Sequence, residues 1–276
     1  MDHGKNFFIR DHMTDRNPQA AQMSAESMVR TLSAQVRCIW PQESLLFDRY
    51  GSPRQILDVG CGSGEFTARL AERYPHAEVL GIEIDPAHVQ RARLRCAEFG
   101  QRIRFEVGDA FNLQVPDGTA DLVVCRHVLQ ALPEPERVVA ECHRALRREG
   151  WIHLLVEDYT MIHIDGPPSF DRFWIDGPVQ YAIETGCDAR IGRRGLSLIS
   201  DFRRSRLDYV SVDTVRVERA DFVAVMEAWR DGYAEVLAQY IGCTVAESTA
   251  TMNAMIEAIR TGYAIWQVPI ASGQRS

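Results

Sequence analysis

The stretch QILDVGCGSGEFTARLAERY (55–74) reads as a short apolar strand, a glycine-rich turn and an amphipathic helix in direct succession. QILDV (55–59) is continuous and apolar, which suits a strand covered on both faces. Gly60, Gly62 and Gly64 carry no Cβ, so the turn can be tight and a ligand can approach the backbone closely. The same alternation repeats downstream. EVLGIEI (78–84) is a second strand, and Asp85-Pro86 opens a helix with a carboxylate at the N-cap and proline in the first turn. That helix runs through HVQRARLRCAEF and stops at Gly100. IRFEV (103–107), ADLVVC (120–125) and WIHLLVE (151–157) follow as strands, with a helix around PERVVAECHRALRR between the last two. Strands alternating with helices imply a mostly parallel sheet with helices on both faces. The expected fold class is α/β.

The flanks differ from this centre. Residues 20–50 read as helical, with Met28, Leu32, Val36 and Ile39 at helical spacing. Residues 159–200 are irregular and rich in Gly, Pro and aromatics, and pass into a helix around LSLISDFRR. LDYVSVDTVRV (207–217) alternates as a strand does, 220–260 return to helix, and YAIWQVPI (263–270) is a final strand. The expected division is an N-terminal helical cap (1–50), a ligand-binding core (51–160), a lid or substrate-binding insertion (161–206) and C-terminal strands with a helical insertion (207–276).

The formal net charge of −7 speaks against general attraction to nucleic acid phosphates. Residues 1–20 hold no apolar core of signal-peptide length, and no run approaches a membrane span. The seven cysteines are scattered and never form C-x-x-C, so neither a disulfide framework nor a zinc site is indicated. Buried thiols in a reducing cytoplasm are the simplest expectation.

Three features narrow the ligand. A dinucleotide fingerprint beginning at Gly60 would need glycine at position 65, but Glu65 stands there, in the first helical turn, where it would repel a pyrophosphate. Glu83 ends the second strand, where a carboxylate can accept from both hydroxyls of a ribose. After the third strand, Asp109 of Gly108-Asp109-Ala110 can accept from an exocyclic amine of an adenine, with Phe111 placed to pack on its ring.

In combination, ILDVGCGSGEF, GIEID, VGDAF and ADLVVCRHVLQAL resemble a class I S-adenosylmethionine (SAM)-dependent methyltransferase, of the branch that includes quinone-biosynthesis and natural-product enzymes. The resemblance covers roughly residues 40–160. It implies a Rossmann-like, seven-stranded sheet whose last strand is antiparallel to the rest, plus a helical cap, and SAM as cofactor with S-adenosylhomocysteine (SAH) as product. Gly60, Cys61 and Gly62 would lie against the methionine part, with Asp58 orienting its amino group. Glu83 would hold the ribose, with Ile84 beside the adenine, and Asp109, Ala110 and Phe111 would read the adenine. Arg126 and His127 end the fourth strand, near methionine and substrate respectively.

The acceptor side is less defined. His127 could act as general base or hydrogen-bond the substrate, and could equally be a satisfied packing residue. Glu157, Asp158 and Tyr159 end the fifth strand, where alternation puts Glu157 and Tyr159 on one face and Asp158 on the other. Tyr159 and Asp158 join His127 as catalytic candidates. His163, Trp174 and Tyr181 are candidates for a substrate pocket, or for a minicore beneath the lid. Arg190, Arg193, Arg194, Arg203, Arg204 and Arg206 form the one dense basic patch, and pairing with acids or a solvated face is the expectation there. Gly186, Asp188, Gly192 and Arg193 match a stretch found in related methyltransferases that would brace the loop. The reading is methyl transfer to O, N or C of a small, aromatic or heterocyclic secondary metabolite. No metal is expected, and the helical flanks could exchange between subunits to make a homodimer. The alternatives are an RNA methyltransferase, a non-catalytic SAM-binding partner subunit and, third, an NAD-dependent enzyme.

Overall fold

The computed structural model describes Pro18 and residues 26–276; the part of the expected N-terminal cap at 1–17 and 19–25, with the signal-peptide reading, lies outside the described residues. The described residues begin with helix α1 (Glu26–Glu43) and continue with β1 (Gln55–Val59), α2 (Glu65–Arg73), β2 (Glu78–Glu83), α3 (Pro86–Arg95), β3 (Ile103–Val107), β4 (Ala120–Arg126), α4 (Pro135–Ala145) and β5 (Leu146–Leu155). Then come β6 (Ile162–Ile164), α5 (Ser169–Trp174), α6 (Gln180–Glu184), α7 (Gly195–Leu198), β7 (Arg203–Asp213), α8 (Arg219–Ile241), α9 (Val245–Thr261) and β8 (Ala264–Gln274).

Strands β1 to β5 are mutually parallel in the order β3-β2-β1-β4-β5. β8 runs antiparallel beside β5, and β7 pairs antiparallel with β8 along nearly its whole length. The strand order reverses between β1 and β4. Open α/β sheets bind ligands outside the carboxyl ends of their strands at such a switch point.

Alternation along the strands divides the core. Ile56 of β1 with Leu122 and Val124 of β4 face Phe66, Leu70, Val89 and Ala92 of α2 and α3. Leu57 and Val59 with Val123 and Cys125 face Val138, Val139 and Cys142 of α4. Each such fully buried aliphatic side chain contributes about 1.5–3 kcal/mol relative to exposure. A third cluster joins α1, α5, α8 and α9 to the outer strands around Trp266, Phe222 and Met226. All seven cysteines are free thiols, and six are buried.

Several expectations need correction. The sheet has eight strands rather than seven, because Ile162–Ile164, in the stretch read as irregular, pairs with Ala264–Trp266 of β8 in line with β5. The helix before β5 ends at Ala145, and the strand starts five residues earlier than expected. The helix expected through LSLISDFRR is four residues long, and β7 takes over from Arg203. β7 stops at Asp213, whose carboxylate accepts from the amides of Val215 and Arg216 and turns the chain. The helical run 220–260 is two helices, broken at Gly242 in the left-handed conformation and restarted by a Thr244/Glu247 capping box. The Asp85 N-cap is present, accepting from Ala87 N at 2.7 Å.

Candidate active site

The carboxyl ends of β1, β2, β3 and β4 open into one cleft, roofed by α1 and α8, with about 1040 Å³ of free space including its mouth. That size suits a ligand of nucleoside scale. The glycine turn forms one wall. Gly60 N and Cys61 N both donate to Ile82 O, at 2.8 and 3.1 Å, which clips the turn onto β2. Gly60 sits at φ 71°, and a Cβ there would come within 2.3 Å of Val128 Cγ2. Glycine is required at this position by both conformation and space.

Glu83 is buried and ties the wall together. Its Oε2 accepts from Gly62 N at 3.0 Å, and its Oε1 accepts from Ile84 N at 2.8 Å and Asp85 N at 3.1 Å. Burial raises its carboxyl above the usual range, against the pull of these amides. Asp109 forms a local turn by accepting from Phe111 N at 2.9 Å, and Ala110 and Phe111 line the cleft beside it. The Arg137 guanidinium lies 5.2 Å from the Phe111 ring centre.

Arg126 lines the cleft floor and is buried. Its Nε and Nη2 donate to the two oxygens of Glu43 at 2.9 and 2.8 Å, and its guanidinium lies 3.9 Å from the centre of the Phe66 ring. His153 Nε2 lies 2.9 Å from Glu43 Oε1, and His153 Nδ1 lies 2.7 Å from the Tyr50 hydroxyl. Burial alone would raise the Glu43 carboxyl, but Arg126 and His153 override it and hold it at about 2. The floor is thus a buried, charge-paired chain, Tyr50–His153–Glu43–Arg126.

At the junction of β4 and β5, His127 adopts a left-handed backbone, φ 56°, which is rare for a side-chain-bearing residue. Its Nδ1 is hydrogen-bonded to Glu157 Oε1, and both side chains are almost fully buried. His127 Nε2 and Glu157 Oε2 have no partner among the described residues. Tyr159, on the same side as Glu157, lies edge-on to Trp229 at 5.7 Å and stacks over Trp174 at 6.4 Å. Burial, then the charge of Glu157, push the Tyr159 hydroxyl well above its ordinary pKa.

Tyr159, Trp229 and Tyr233 also wall a second chamber, with about 460 Å³ of free space including its mouth, completed by Trp174, Tyr181 and Met252 among others. Trp174 and Tyr181 therefore sit where a substrate pocket was expected. His163 does not: it is exposed on β6, 3.6 Å from Asp171, and lines neither space.

Asp158 points away from the cleft. Its Oδ1 accepts from Thr160 N at 3.0 Å and Oδ2 from Arg193 Nε at 2.7 Å, so it fastens the turn after β5. Asp58 and Cys61 are buried behind the glycine turn rather than in the cleft wall. Asp58 accepts from Thr67 Oγ1 at 2.6 Å, and burial raises its carboxyl to about 6. Glu65 also lies behind the turn, 2.6 Å from Arg95, so its charge is felt at the helix end and not in the cleft. Arg193, Arg194, Arg203 and Arg206 of the basic run each lie within 4.0 Å of a carboxylate.

Glu43, His153, Trp229 and Tyr233 were not singled out from sequence. Nor were Thr31 and Gln35 of α1, which line the cleft from above together with Leu32. Among the described residues no group of three or more His, Cys, Asp or Glu is placed to hold a metal, and no helix is long and apolar enough to cross a membrane.

Residues 57–154 match the methyltransferase domain family. That segment is similar to the domain of class I SAM-dependent methyltransferases, and SAM is the cofactor of that class. Among similar sequences, a demethylmenaquinone methyltransferase of Deinococcus radiodurans is 34% identical over 46% of this chain and 52% of its own length. An ajmaline N-methyltransferase of Rauvolfia serpentina is 34% identical over 42% of this chain and 39% of its own. The chain thus spans well under two thirds of the length of these curated relatives. Among solved structures, the [4+2]-cyclase SpnF superposes with a TM-score of 0.52 and 20% identity, covering 84% of this chain and 80% of that one. A cyclase on this fold shows that the fold alone does not fix the reaction.

Proposed function

We propose that this chain is a SAM-dependent methyltransferase of a small molecule with a flat, apolar portion. The observation that carries this reading is the adjacency of two unlike spaces: a cleft walled by the glycine turn, Glu83 and Asp109, and an aromatic chamber that shares Tyr159, Trp229 and Tyr233 with it as walls. In this reading residues 51–160 hold the cofactor. Glu83 accepts from the ribose hydroxyls, Asp109 with Ala110 reads the adenine edge, and Phe111 packs on the ring. Arg126 presents its remaining N–H groups to the methionine carboxylate.

The sulfonium methyl then lies near His127, facing the chamber. Rate enhancement comes chiefly from holding the acceptor in line with the methyl–sulfur bond in a space closed to water. The aromatic walls favour a ring over a nucleic acid strand, and the pairing of the arginine run removes the main support for RNA.

Titration calorimetry with SAM, SAH and NAD tests the cofactor assignment. Both adenosyl-sulfur ligands bind, NAD does not, and Glu83→Ala weakens SAH at least tenfold. Binding of NAD alone overturns the proposal.

A further inference from the structure

We propose that the methyl acceptor is an aromatic hydroxyl bound in the Trp174–Trp229 chamber, and that His127, held by Glu157, takes its proton. This rests on the methyltransferase reading above and names its substrate class.

Glu157 Oε1 serves as the acceptor of its hydrogen bond with His127, so the nitrogen of His127 that meets it is the donor. Nε2 of the neutral ring is then an acceptor. It is buried and has no donor among the described residues. A buried acceptor left unmatched is costly, so the site is completed by a ligand that brings an X–H group. The left-handed backbone of His127 is a second, independent sign that the position is constrained for use rather than for packing.

The chemistry selects oxygen over nitrogen. A neutral amine attacks a sulfonium methyl through its own lone pair and needs no base beforehand. A hydroxyl is a weak nucleophile until its proton leaves.

Other bases are accounted for. Tyr159 is held protonated by burial and by Glu157. Asp158 is engaged by Thr160 and Arg193. Glu83 and Asp109 lie at the cofactor end, and Arg126 is committed to Glu43. The groups around His127 are therefore Glu157, Tyr159, Tyr233 and the neutralised Arg126.

The chamber fixes the rest of the ligand. Trp174, Trp229, Tyr159 and Tyr181 offer ring faces and edges, to which a flat arene is the matching shape. In the reaction the hydroxyl proton moves to Nε2, forming an imidazolium paired with Glu157. The aryl oxygen attacks the methyl carbon, the carbon–sulfur bond breaks, and its electron pair stays on sulfur to give the neutral thioether of SAH. The imidazolium returns its proton to solvent when product leaves.

The test uses 4-nitrophenol as probe, since its phenol and phenolate absorb at different wavelengths. In the SAH complex of the full chain, bound 4-nitrophenol ionises at least tenfold more readily than free probe. His127→Asn binds SAH as the wild type does but loses this shift; asparagine tolerates the left-handed backbone, so the variant folds. Glu157→Gln binds both ligands and reduces the shift by more than half, which a purely structural role would not do. The proposal fails if the SAH complex does not bind 4-nitrophenol, if its ionisation is unchanged, or if the shift persists in His127→Asn. Absence of SAH binding overturns the methyltransferase reading and this proposal together. SAH binding without a shift overturns only the hydroxyl acceptor.

Discussion

The two halves of the cleft are built differently. The half proposed for the cofactor draws much of its wall from backbone amides and short side chains at three successive strand ends, Gly60–Gly62, Glu83–Ile84 and Gly108–Phe111. The half proposed for the acceptor is assembled from rings on segments far apart in the chain, with Tyr159 after β5, Trp174 at the end of α5, and Trp229 and Tyr233 on α8. A backbone-built wall recognises what every ligand of a class shares. A wall of side chains on peripheral helices can change its occupant without disturbing the sheet.

Between the halves lies the floor at the end of β4, and removing its charge balance has the largest expected effect. Glu43→Ala leaves the buried Arg126 guanidinium without its carboxylate. Stripping one partner from a buried ion pair costs about 3–5 kcal/mol, which the urea midpoint will report. A loss under about 1 kcal/mol would mean that the floor is wet and that the two halves do not share a support.

Next in size, Glu83→Ala separates the halves directly. Loss of a charge-assisted bond of about 1.5–3 kcal/mol weakens SAH by roughly ten- to a hundredfold. At saturating SAH the binding of 4-nitrophenol stays within a few-fold of wild type. Equal losses of both ligands would show that one wall serves both halves.

The same contrast explains what the sequence reveals. Gly60, Glu83 and Asp109 were legible because each sits at a fixed place after a strand that hydrophobic periodicity already locates. Trp229 and Tyr233 lie on a helix that also carries core residues such as Phe222 and Met226, and no local pattern marks which of its rings border a chamber. Glu43 is 83 residues from Arg126, and only the packing of α1 over the sheet brings them together. Asp58 stands where the family motif puts an acid, and strand alternation buries its carboxylate toward Thr67, from whose hydroxyl it accepts. Strand β6 was missed because three residues are too few to show a period.

Asp58 supplies a third test, on stability rather than affinity. Its carboxyl is raised to about 6 in the folded chain, against an ordinary value of 3.8. The folded state therefore keeps a proton that the unfolded state releases between about pH 4 and pH 6. Stability falls as pH rises through that window and is not lowered further by this group above it. Asp58→Asn, which still accepts from Thr67, removes the titration. Relative to wild type it gains on the order of 2 kcal/mol between pH 4 and pH 7, read as a widening difference in Tm. A constant difference across pH would show that Asp58 is ionised in the fold, and would move it from the sheet's interior to the cofactor half.

The smallest expected effect belongs to the basic run, which touches neither half. Arg194 reaches Glu136 on α4 and lies 3.8 Å from Asp188, with its side chain about half exposed. Exposed pairs of this kind contribute about 0–1 kcal/mol. Arg194→Ala should therefore change stability by less than about 0.5 kcal/mol and SAH affinity by less than twofold. An RNA-binding surface would behave otherwise. Removing one arginine that contacts a phosphate would weaken a single-stranded RNA probe at low salt and lower the slope of log affinity against log salt by about one. If the wild type binds such a probe and Arg194→Ala reduces that slope, the acceptor half extends beyond the aromatic chamber to this face. If no probe binds at low salt, the arginines serve only to pin the segment after α6 against α4 and the turn at Asp158.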